Sequence, residues 1–270
     1  MYTKPDNRIK VALIGCGNVA WHICAHLCRQ KKIRLHVYNH RHSPSLESLR
    51  HEFNCQVFPD LGHIETDADY YILAVSDSKI SETARKIKPH KVNALLVHTS
   101  GSVDLDSLGE RVHATAVLYP LQSFTRLNHT NWNEVPVILE ADNKTSLNAA
   151  KTLAALFSKH IFSASHKERL HLHLAAVLVN NFTNALFEAD YNVLGNKKKN
   201  FTLLMPLIAN TVSKLDTMIP AQAQTGPAKR NDRNVIKKHL KMLKDDKDLS
   251  KIYVMMSELI KTQQTKHAKL

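Results

Sequence analysis

The feature that most constrains this chain is a six-residue turn, Gly15-Cys16-Gly17-Asn18-Val19-Ala20, set between a short apolar run and a longer stretch of helical periodicity. The run before it, Val11-Ala12-Leu13-Ile14, is continuously apolar, as in a strand covered on both faces of a parallel sheet. Gly15 permits a tight turn, Gly17 lets backbone approach a bound group, and Ala20 allows close packing of helix on strand. A glycine pair in this context fits a pyrophosphate held at a helix N-terminus, as in dinucleotide-binding domains. An ordinary strand-turn-helix glycine pair is the alternative.

The rest of the first half repeats βαβ grammar. Strand and helix patterns alternate through 9–15, 18–30, 33–39, 45–53, 55–58, 70–75, 79–88 and 94–100, with further strands at 114–119, 135–139 and near Ile161 and a helix at 144–158. From His166 onward only helical patterns remain, at 166–194, 201–218, 233–243 and 249–263, with Pro220 and Pro227 marking a loop. The fold class expected is therefore α/β: a Rossmann-type, mostly parallel sheet over residues 1–163, followed by an all-α domain over 164–270.

Sites that take NAD place a carboxylate at the end of the second strand, to accept from the ribose hydroxyl. Here the strand ends Val37-Tyr38-Asn39, followed by His40-Arg41-His42-Ser43, and has no carboxylate. Arg41, helped by His40 or Ser43, suits a 2′-phosphate, so NADP is the cofactor expected. Ala74-Val75-Ser76 closes the next strand and Ser100 follows the one after, both where open sheets present ligand loops. Ser76 followed by Asp77 fits helix capping equally well. The expected cofactor set is Gly15, Cys16, Gly17, Asn18, Val19, Asn39, His40, Arg41, Ala74, Val75, Ser76 and Ser100.

Net charge is +13, of which +9 lies in 164–270, spread over helical faces and the run Lys197-Lys198-Lys199 without interleaved aromatics. That describes a solvated face, and no nucleic-acid partner is expected. No apolar run approaches the roughly 20 residues of a membrane span. The stretch Met1 to Lys10 is polar and leads into a strand, so a cytoplasmic protein without a membrane partner is expected. Its four cysteines, Cys16, Cys24, Cys28 and Cys55, should be reduced. Cys24, His26 and Cys28 have the residue types of a metal site, but Cys24 and Cys28 fall in a helix beside Ile23 and Leu27, where small thiols pack well; no metal is expected.

The helix from His166 places His173, Val177, Asn180 and Asn184 on one line at about 100° per residue, with Asn181 beside it. Such polar groups among leucines and alanines need partners, which a substrate cleft or a dimer core would supply. Between the later helices, Thr225-Gly226-Pro227-Ala228-Lys229-Arg230-Asn231-Asp232 joins turn formers to two cations. Arg230 suits a carboxylate clamp there, or an ion pair with Asp232.

Together the strings Gly15-x-Gly17-Asn18-Val19-Ala20, Ala74-Val75-Ser76-Asp77, His98-Thr99-Ser100-Gly101-Ser102, Tyr119 through Phe124, His173 through Asn184 and Thr225 through Arg230 span nearly the whole chain. They resemble a bacterial family of NADP oxidoreductases that joins a Rossmann-like domain to an α-helical domain of unknown function. More distantly the chain is similar to pyrroline-5-carboxylate reductase and to the 6-phosphogluconate and 3-hydroxyacid dehydrogenases. The resemblance implies hydride exchange with a C=N or C=O bond of a small, carboxylate-bearing molecule, in a homodimer whose helical domain closes the substrate site. In the hydroxyacid dehydrogenases a helix lysine four residues before an asparagine assists proton transfer. With that asparagine aligned on Asn181, Val177 takes the lysine's place, and His173 is the best replacement. The catalytic residues expected are His173, Asn181 and Arg230. In the family an Arg-Gly-Asp order is usual at the last motif, and here Asn231 stands for the glycine. A non-catalytic dinucleotide sensor would keep the same turn and lose the lysine, and stays open at this point.

Overall fold

The computed structural model describes residues 6–110, 112, 114–195 and 197–267; Met1 to Pro5 of the polar N-terminal stretch lie outside them. It divides into two compact units, Met1–Asn180 and Asn181–Leu270.

Strands β1 (Ile9–Ile14), β2 (Ile33–Tyr38), β3 (Gln56–Phe58), β4 (Tyr70–Leu73), β5 (Leu95–His98), β6 (Ala114–Pro120), β7 (Val137–Ala141) and β8 (Ile161–Ser163) form one sheet, ordered β3-β2-β1-β4-β5-β6-β7-β8. Neighbours are parallel except β6 with β7. Residues alternate across β1: Val11 and Leu13 join one buried core with Ile23, Cys24 and Leu27, while Ala12 and Ile14 join the other with Ile80 and Ala84. Burial on both faces explains why the run is continuously apolar. The winding reverses between β1 and β4, and a parallel sheet leaves a crevice at the carboxyl ends of such a pair.

Helices α1 (Asn18–Leu27), α2 (Pro44–Phe53), α3 (Ile80–Ala84) and α4 (Lys144–Ala154) accompany the strands. Three end sooner than their patterns suggest, α4 among them, where Leu156 N and Phe157 N bond three residues back. After α1 the chain tightens, with Gln30 N donating to Leu27 O and Ile33 N to Gln30 O, and turns directly into β2. After α3, Lys86 N and Ile87 N likewise bond three residues back.

Helix α5 (His166–Ala176) starts with a capping box between Ser165 and Glu168 and runs into a π-helical turn, Val177–Phe182. The second unit follows with α6 (Thr183–Val193), α7 (Lys198–Thr202), α8 (Met205–Ser213), α9 (Pro220–Ala223), α10 (Arg233–Met242) and α11 (Lys247–His267). The single helix expected over 201–218 is split because Pro206, with no N–H to donate, begins α8 instead of continuing α7. Among the described residues, no helix is long and apolar enough to cross a membrane.

Candidate functional site

The turn after β1 is built as its glycines require. Gly15 has φ +121, and a Cβ there would lie 2.2 Å from Ala74 O, so the β1 and β4 backbones meet closely at this point. Gly17 has an ordinary φ of −76 and nothing within 4 Å of a notional Cβ, so it borders open space. As N-cap of α1 it offers no side-chain acceptor, which leaves the first-turn N–H groups free for an anion.

That space is a cleft of about 490 Å³ lined by Gly15, Cys16, Gly17, Asn39, His40, Ala74, Val75 and Ser76 among others. It therefore gathers the carboxyl ends of β1, β2 and β4. Asn18 and Val19 lie outside its lining: the Asn18 amide donates to Phe124 O at 3.0 Å, and Val19 packs on the core. Asn39 turns its amide into its own loop, donating to Arg41 O at 2.9 Å, while Ser43 of the same loop caps α2. Arg41 is exposed, with no side-chain partner among the described residues. Ser76 starts a 3₁₀ turn, but its hydroxyl makes no capping bond. Ser100 also lies outside the lining. Its hydroxyl accepts from Ser102 N and Val103 N and so holds the turn after β5 together.

Several residues of the site were not legible in advance. Lys79 and Lys86 line the cleft, joined through Glu82 at 2.8 and 3.3 Å. Their seven-residue spacing, two helical turns, was the available signal. Arg126 donates to Cys16 O at 2.9 Å and braces the glycine turn from 110 residues away, a contact no local pattern announces.

A second cluster stands beyond the turn after β5, which Ser102 ties to Asp77 at 2.7 Å. His173 Nδ1 lies 3.2 Å from the Tyr119 hydroxyl, and Gly101 sits so close that a Cβ would come 2.6 Å from His173 Nδ1 and 2.7 Å from the Tyr119 ring. Burial holds the Tyr119 phenol above its usual range. Beneath them Arg169 is fully buried, bonded to Glu140 at 2.8 Å, Val103 O at 2.8 Å and Ser100 O at 3.3 Å. Burial first, and the Arg169 charge second, push the His98 imidazole down to about 4. Ser100 N donates to its Nδ1, and its Nε2 has no partner among the described residues.

The other expected catalytic residues belong to the second unit. Asn181 is exposed within the π turn, where the 100° step used to align it does not hold. Arg230 is exposed and forms no ion pair with Asp232, whose carboxylate instead accepts from Val235 N as N-cap of α10. Asn231 has φ 55, the left-handed conformation that a glycine would take easily and that asparagine tolerates best among the others.

The fold and the glycine turn define an oxidoreductase of the NAD(P)-dependent class. Residues 10–101 match the family model described as NADP oxidoreductase, coenzyme F420-dependent, and residues 135–260 match a domain of unknown function, DUF2520. A protein of Bacteroides fragilis assigned as an NADP oxidoreductase is 32% identical, with a TM-score of 0.87 over 96% of this chain and 100% of its own. A protein of Thermotoga maritima shares 19% identity with a TM-score of 0.75, covering 94% and 99%. The 1-pyrroline-5-carboxylate reductase of Streptococcus pyogenes shares 14% with a TM-score of 0.61, covering 95% and 99%, a likeness of fold. No curated protein matches the chain significantly. The chain belongs to the NADP oxidoreductase family that carries the DUF2520 domain.

Proposed function

We propose that this protein binds NADP(H) in the cleft beside Gly15 and Gly17 and exchanges hydride with a C=N or C=O bond of a small, carboxylate-bearing molecule. The observation that carries this is the uncapped N-terminus of α1, opening with Gly17 onto unfilled space beside the Gly15–Ala74 contact. When bound, the nicotinamide supplies or accepts the hydride. The chain's own residues do the rest. Free N–H groups of α1 and Gly17 hold the pyrophosphate. His40 and Arg41, with Lys79 and Lys86 across the cleft, favour a 2′-phosphate, and the inward-turned Asn39 offers no carboxylate to select a free ribose hydroxyl.

His173 handles the proton. As the imidazolium, its Nδ1–H donates to the Tyr119 hydroxyl oxygen, which fixes the ring, and its Nε2 proton passes to the substrate nitrogen or oxygen, leaving a neutral imidazole. Asn181 orients the substrate by its amide and Arg230 clamps the carboxylate. The protein works as a homodimer, a reading supported by apolar side chains left exposed from Leu170 onward.

Titration with NADPH and NADH, followed by fluorescence, tests the cofactor site: NADPH should bind more tightly, and Arg41→Ala should weaken NADPH selectively. Absence of binding by either would overturn it. In a screen of cyclic imines, 2-oxo acids and 3-oxo acids, His173→Ala should abolish NADPH oxidation while leaving NADPH binding intact.

A further inference from the structure

Three of the four cysteines, none of them used above, converge on one point. Cys24 and Cys28 stand one turn apart near the C-terminal end of α1, and Cys55 arrives from the other side, between α2 and β3. Cys24 Sγ lies 3.6 Å from Cys28 Sγ and 3.5 Å from Cys55 Sγ, and all three sulfurs fall within 4.8 Å of one another. Asn54, at φ 50, ends α2 in the left-handed conformation immediately before Cys55 enters.

Sulfurs that share a tetrahedral ion at about 2.3 Å stand roughly 3.8 Å apart, so the triangle already has nearly the size of a ligand set. A disulfide would instead require one pair to close to about 2.05 Å and would leave the third sulfur over. Among the described residues no other His, Cys, Asp or Glu joins the triangle, and His26, on the same helix, bonds Leu156 O at 2.7 Å. Access exists as well, because Cys28 and Cys55 line an open groove of about 380 Å³ together with Phe53 and Asn54.

We propose that Cys24, Cys28 and Cys55 form a binding site for one thiophilic d¹⁰ cation, of the cuprous or zinc class, held by three thiolates. On binding, each sulfur releases its proton to solvent as its bond to the ion forms. The ion joins the last turn of α1 to the start of β3, at the opposite end of that helix from the glycine turn, and stabilises the folded chain by mass action.

The test uses the full chain, reduced and stripped of metal, titrated without oxygen against Zn²⁺ and, separately, against Cu⁺ held by a competing chromophoric chelator. One ion should be taken up per chain, with an X-ray absorption sulfur shell of three neighbours at about 2.3 Å. Cys28→Ser and Cys55→Ser should lose uptake, and Cys16→Ser, outside the triangle, should keep it. Far-UV circular dichroism checks that each variant folds. A second measurement needs no variant: alkylation of the partly buried Cys28 should proceed in the stripped protein and be blocked in the loaded one. Absence of uptake of both ions, uptake that survives Cys28→Ser, nitrogen or oxygen neighbours in place of sulfur, or equal alkylation of both forms would overturn the proposal. So would mild oxidation that consumes two of the three thiols in a protein that takes up no ion.

Discussion

The sheet half and the helical half treat their apolar side chains in opposite ways. Between β1 and β8 nearly every large aliphatic or aromatic residue enters one of three buried clusters against the sheet, with Val92, Leu127 and Phe162 the exposed exceptions among described residues. From Leu170 onward the exposed ones are numerous, Val179 at 73%, Leu203 at 77% and Met242 at 77% among them. A sheet wrapped by crossover helices completes its own core, whereas helices without a sheet bury their apolar faces only against other helices. One half is self-sufficient, and the other leaves apolar surface uncovered, which on the proposed homodimer reading a second copy covers.

The largest effect should come from denying that second copy. Leu207 and Val212, both on α8, are 61% and 63% exposed. If their faces are covered in a dimer, Leu207→Glu with Val212→Glu forfeits about 2 kcal/mol of burial per side chain. Sedimentation should then show one chain in place of two. A wild-type protein that already sediments as one chain would remove the contrast between the halves.

Within the sheet half, Gly15→Val should be the most damaging single change. It drives a Cβ into Ala74 O at a φ that valine does not adopt, at about 5 kcal/mol. Arg169→Met follows at about 4 kcal/mol in urea unfolding, because it strands the largely buried Glu140 and two backbone carbonyls without a donor.

His98 gives a pH signature. Its folded pKa, about 4, lies below the unfolded value of 6.5, so the unfolded chain binds the proton more readily. Its contribution is complete above about pH 6.5 and is lost as pH falls toward 4, some 3 kcal/mol over that window. Replacement by Gln should flatten this part of the stability profile, and an unchanged profile would mean that other groups set it. The smallest stability effect belongs to Gly17→Ala, within about 0.5 kcal/mol because nothing crowds the new methyl group. NADPH binding should nonetheless weaken sharply, and that separation of folding from binding sharpens the difference between the two glycines.

Much of the sheet half could be read directly from the chain. Val11 to Ile14 followed by Gly15-x-Gly17 leaves few alternatives to a strand, a turn and a helix, because both core faces and the turn constrain the same residues. Pairing was less accessible: β7 looks like any short buried strand, and its antiparallel register with β6 depends on a loop without a pattern of its own. Arg169 lies in His166-Lys167-Glu168-Arg169, which reads as a solvated helix start, and only the folded arrangement buries it. Cys55 meets Cys24 through the β2-to-β3 crossover, a contact that spacing along the chain does not reveal. The apolar string Val177-Leu-Val-Asn-Asn-Phe182 likewise gives no sign that its turn is π rather than α.

Gly101 has a consequence for divergence within the family. With a side chain there, the Tyr119 ring and the His173 imidazole could not keep their present approach, since both occupy the space a methyl group would need. The three positions are therefore coupled in what they can tolerate. A lineage that replaced the glycine first would lose the hydroxyl–imidazole contact, whereas one that first shortened both Tyr119 and His173 could accept alanine afterwards. Relatives bearing a residue other than glycine at this point should therefore carry smaller residues in place of the tyrosine and the histidine.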